Sequence, residues 1–134
     1  MARLEVRLAW ILGVALPLAE TLRRRTHFDE FAFYVDDYIA GGILLFAAWA
    51  VGRRRWYGPG SLVGAWGIVC GGMYSSFFGQ LARLQAPDIS GLPSWVVAVV
   101  KGAAFAVAIA SLMLSVRSLR PTNEMVNAAE TGAS

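Results

Sequence analysis

The chain has 134 residues, of which 57% are hydrophobic and only 16% charged, with a formal net charge of +3. Soluble domains carry roughly 45–50% apolar and about 25% charged residues, so the polar shell of an ordinary soluble enzyme is missing. A nucleic-acid module is set aside for the same reason, because the arginines cluster between apolar runs and read as membrane flanks.

The first apolar stretch, 4–22, is closed by Arg23, Arg24 and Arg25. Arg3 and Arg7 ahead of a short apolar run resemble a signal peptide, but Pro17 stands where cleavage needs a small residue. The stretch is therefore expected to remain as a first span, kinked by Pro17 one turn before Glu20. The second stretch, 31–51, is closed by Arg53, Arg54 and Arg55. Gly58-Pro59-Gly60-Ser61 predicts a turn, with Ser61 as N-cap of a third stretch, 61–83. Pro87, Asp88, Ser90, Gly91 and Pro93 predict the next loop, with Ser94 capping a fourth stretch, 94–116. Residues 121–134 are small and polar without periodicity, which predicts a disordered tail.

Together these predict one all-α domain, residues 1–120: an integral membrane four-helix bundle with short loops. A spanning helix needs about 20 mostly apolar residues. Only the third stretch is charge-free for that long, from Trp56 to Ala82. The others span only by carrying Glu20, Asp36 with Asp37, and Lys101 into the bilayer. Arginine counting places both termini in the cytoplasm, in a cytoplasmic (inner) membrane, with the triplet at Arg23–Arg25 as a counter-signal.

Lipid supplies no hydrophobic drive between helices, so small residues must permit close packing. Gly67, Gly71, Ser75 and Gly79 recur every fourth residue in the third span, and Gly102, Ala106 and Ala110 do so in the fourth. These are the expected helix-packing positions, inside the bundle by preference and otherwise toward a second copy or a partner membrane protein. The second span carries Gly41, Ala48 and Gly52 on the side shared by Asp37.

Aligning the helices by rise brings Glu20, Asp36, Asp37, Gln80 and Lys101 to a similar depth in one leaflet. Charges within a membrane pair or face a watery cavity. Lys101 is therefore expected near Asp37 or Asp36, and Glu20 near Arg24. His27 is expected in a loop salt bridge, and Cys70 as a packing residue without thiolate chemistry. No second His or Cys stands at a ligand spacing, and no catalytic motif or phosphate-cradling loop occurs. No cofactor, metal or catalytic residue is therefore predicted. The leading expectation is a non-enzymatic accessory or interaction subunit acting through helix contacts, with membrane lipids and a partner protein or second copy around it. The alternatives are a proton or cation pathway or binding site on Glu20, Asp36 and Asp37, and a membrane-embedded enzyme on a lipid substrate.

Overall fold

The computed structural model describes residues 3–23, 31–86, 88 and 90–119, with the side chains of residue 23 and residues 31–34 left out. The expected Arg24 partner of Glu20, the His27 loop and the tail 121–134 lie outside the described residues. Four helices follow in chain order: α1 (Leu4–Arg23), α2 (Phe31–Gly52), α3 (Gly58–Leu81) and α4 (Ser94–Arg117). Each lies within three residues of its expected limits.

The helix starts correct two expectations. Ser61 does not cap α3, which begins at Gly58 with Pro59 in its first turn; the Ser61 hydroxyl instead donates to the Gly58 carbonyl at 2.9 Å. Proline is tolerated there because its missing N–H would have had no partner in the first turn. Ser94 does not cap α4 either: Pro93 holds that place, and the Ser94 hydroxyl donates back to the Ala86 carbonyl, tying the loop to the helix start.

α2 ends in a left-handed residue that carries a side chain. Arg55 N–H donates to the Ala50 carbonyl and Arg54 N–H to the Val51 carbonyl, both at 3.0 Å. This is the Schellman pairing, which usually places glycine where Arg54 has φ 52°. The turn is then so tight that a Cβ on Gly58 would come within 2.9 Å of the Val51 nitrogen.

Chain neighbours are spatial neighbours. α1 packs on α2, α2 on α3 and α3 on α4, whereas α1 and α4 meet only sparsely. The α1–α2 crossing is set by Pro17. Having no N–H, Pro17 leaves the Gly13 carbonyl without its helical donor, and that oxygen faces Gly41. A Cβ on Gly41 would come 2.5 Å from it and 3.0 Å from the Pro17 ring. Gly41 can present a Cα–H there, a contact that recurs where helices approach closely. Toward the α1 C-terminus, the Thr21 and Tyr38 hydroxyls meet at 2.9 Å and hold the same two helices together.

The core is built mainly from small residues around two large ones. Leu44 and Trp66 are fully buried, among Ala47, Ala48, Ala65 and Ala108. Bulk lies outside: Ile11, Val14, Phe46, Ile68, Tyr74 and Val99 are all exposed. Small residues within and large apolar ones without is the arrangement expected of helices packed in lipid, and soluble monomers rarely expose contiguous apolar surface on this scale. α3, α4 and the Val35–Gly52 part of α2 are long and apolar enough to cross a membrane. α1 is not among them, since Glu5, Arg7, Glu20 and Arg23 fall within its 20 residues.

Candidate functional site: a charged cavity between α1 and α4

Where α1 and α4 fail to close on each other, the bundle holds a cavity of about 700 Å³. Leu12, Leu16 and Leu22 line it from α1, and Val97, Val100 and Ala104 from α4. Val100 is 63% exposed and Leu22 51%, so the cavity opens sideways to whatever surrounds the bundle. From Leu12 to Leu22 it follows the helix for ~15 Å.

Charge enters this apolar lining from three helices: Glu20 on α1, Asp37 on α2 and Lys101 on α4. α3 and the following loop add the Ser76 and Ser90 hydroxyls. None of Glu20, Asp37 and Lys101 is without a partner. Lys101 points toward the loop end, its Nζ donating to Gln80 Oε1 at 3.4 Å. Gln80 is 8% exposed and donates in turn from Nε2 to Asp88 Oδ2 at 3.3 Å. Asp88 is fixed by the Ser90 backbone N–H at 3.0 Å and the Ser90 hydroxyl at 2.7 Å. A relay of side chains thus carries order from the loop to the ammonium.

Of the five polar residues expected at one depth, the structure brings Glu20, Asp37 and Lys101 to the cavity and ties Gln80 to Lys101. Asp36 faces outward. Adjacent helical residues point about 100° apart, and Asp37 is the one on the side of Gly41, which is buried against α1. Ala48 is buried on that side too, whereas Gly52 is exposed.

The small-residue row of α3 is not an internal packing face. Gly67, Gly71, Ser75 and Gly79 are exposed, and a Cβ on any of these glycines would meet nothing within 4 Å among the described residues. The inward side of α3 is the opposite one, carrying Leu62, Ala65, Trp66, Val69 and Gln80. On α4, Gly102 does pack, since a Cβ there would come 2.9 Å from the Phe77 ring, but Ala106 and Ala110 are exposed.

Some inward residues were not anticipated. Asp88 reads in sequence as a solvated loop acid, and only its proximity to Gln80 reveals its role. Glu5, 5% exposed, is buried although it stands in the first turn of α1. Trp66 Nε1 and Ser111 Oγ are buried without a hydrogen-bond partner among the described residues. Among those residues, no three His, Cys, Asp or Glu side chains gather in a metal-binding group. No family model matches the chain, and neither a curated protein nor a solved structure does.

Proposed function

We propose that this is a small integral membrane protein, with both termini cytoplasmic, that binds an amphiphile in the α1–α4 cavity without transforming it. The observation that carries the reading is the cavity itself: about 700 Å³, apolar along most of its length, open sideways, and charged through Glu20, Asp37 and Lys101. Its volume lies within the roughly 300–1,000 Å³ of small-molecule sites. Its side opening suits a ligand that arrives through the bilayer rather than from water.

Solvent extraction of the full chain purified in mild detergent should recover about one amphiphile per chain. Ala104→Trp puts apolar bulk into part of the cavity. It should lower that recovery while leaving the melting temperature of the lipid-depleted protein unchanged or higher. A wild-type protein that carries no amphiphile, or a variant that carries as much, refutes the reading. Added lipid should also raise the wild-type melting temperature, as any ligand selective for the folded state does.

A second reading, an accessory subunit working through helix contacts, is favoured by the outward placement of Gly67, Gly71 and Gly79. Close-packing residues on an outer surface suit a second copy or a partner membrane helix. Crosslinking in native membranes through cysteines introduced along this row should then trap a dimer or a stoichiometric partner. Monomers alone would dispose of it.

A further inference from the structure

We propose that the amphiphile is a bilayer phospholipid whose head carries a primary ammonium beside its phosphate. The inference rests on the binding reading above and names its ligand. The cavity presents two carboxylates, Glu20 and Asp37, and one ammonium, Lys101. Against the described lining residues, a purely anionic head would bring its phosphate beside two carboxylates with one ammonium, Lys101, as counter-charge. A zwitterionic head meets both signs, its ammonium toward Asp37 and Glu20 and its phosphate toward Lys101. The relay from Asp88 through Gln80 supports this, because it holds the Lys101 ammonium toward the loop end, where a lipid head belongs.

The kind of ammonium follows from what lines the cavity. A quaternary ammonium has no N–H to donate and is recognised by aromatic faces. Among the described residues lining the cavity there is no Phe, Tyr or Trp. A primary ammonium donates three hydrogen bonds, and carboxylates accept them in the stronger, charge-assisted form. The acyl portion then lies along Leu12, Leu16, Val97 and Ala104, entering past the exposed Val100 and Leu22.

The test is a competition. The full chain, lipid-depleted in detergent, is offered equal amounts of phosphatidylethanolamine, phosphatidylcholine and phosphatidylglycerol with identical acyl chains. Bound lipid is counted by native mass spectrometry. Phosphatidylethanolamine should exceed each competitor about tenfold, the equivalent of about 1.4 kcal/mol. Asp37→Asn and Glu20→Gln should each shrink its advantage over phosphatidylcholine while total bound lipid is kept. Lys101→Gln should lower retention of all three. Equal binding of the ethanolamine and choline lipids, or a preference for phosphatidylglycerol, overturns the head-group assignment and leaves the amphiphile reading standing. Retention of no lipid overturns both. The wild-type competition decides the matter even where a variant does not fold.

Discussion

At the α1–α2 crossing, a Cβ on Gly41 would come 2.5 Å from the Gly13 carbonyl oxygen, whereas on the outer side of α3 a Cβ on Gly67, Gly71 or Gly79 would meet no atom within 4 Å. The residue type is the same and the mechanical situations are opposite. At the first site glycine is required by two rigid parts of α1: the Pro17 ring and the carbonyl that Pro17 has released. At the second, nothing among the described residues requires it. A row of small residues states that a helix surface can be approached closely; whether this chain does the approaching depends on where the bulky residues of the same helix must go. On α3 Leu62, Trp66 and Val69 go inward, and the glycines share the outer side with Ile68, Tyr74 and Phe78.

The largest effect expected from this contrast is at the crossing. Gly41→Leu forces α1 and α2 apart, because neither the Gly13 backbone nor the Pro17 ring can turn aside. Overpacking typically costs about 1–3 kcal/mol, and rigid neighbours place this substitution at about 3 kcal/mol or beyond. The adjacent Gly42 is an internal control, since a Cβ there would meet nothing within 4 Å. Melting followed by circular dichroism in detergent should show Gly41→Leu unfolded or strongly destabilised and Gly42→Leu close to wild type. Equal behaviour of the two would mean that the crossing is not where the structure places it.

A smaller loss is expected on α4. A Cβ on Gly102 would come 2.9 Å from Cε2 of Phe77, the edge of a ring that can shift a few tenths of an ångström against Phe78 and Phe105. The strain of Gly102→Ala is also offset by alanine's better helix propensity, about 0.8–1.0 kcal/mol over glycine in water. A net destabilisation of about 1 kcal/mol follows. Phe77→Leu in the same chain should return most of it. No recovery would place the strain somewhere other than the ring.

Much of this was legible in the sequence. Helix limits followed from arginine triplets and turn residues, and helical rise anticipated the grouping of Glu20, Asp37 and Lys101 about one cavity with Gln80 beside Lys101, though not the outward turn of Asp36. The inward face of α3 did not. Gly67, Gly71, Ser75 and Gly79 form one regular row, and Leu62, Trp66, Val69, Met73 and Gln80 form another at the spacing of a packed seam. The helix is apolar all round, so hydrophobicity does not choose between the rows; the need to bury Trp66 does. The αL residue at the end of α2 was equally hidden, because the position that normally shows a glycine holds Arg54. Asp88 escaped for a related reason: an acid between Pro87 and Ser90 has the composition of a solvated loop, and its link to buried Gln80 exists only in three dimensions.

The smallest effect on the fold is expected at Gly71, and it separates the two surfaces most cleanly. None of the described residues lies within 4 Å of a Cβ there, so Gly71→Leu places its side chain outside the bundle. Leucine's helix propensity exceeds glycine's by somewhat under 1 kcal/mol in water, so the isolated chain in detergent should melt at the wild-type temperature or slightly above it. If a second copy or a partner helix seats on Gly67, Gly71 and Gly79, the same substitution props that contact open. The assembly in native membranes should then be lost while the chain itself stays folded. Gly41→Leu makes the opposite separation, destroying the fold whatever the assembly does. Melting and crosslinking measured on both variants therefore assign each glycine surface its own role: one internal, the other directed outward. A Gly71→Leu chain that unfolds in isolation would show that the row packs within the bundle after all, and that the outward face of α3 has been misidentified.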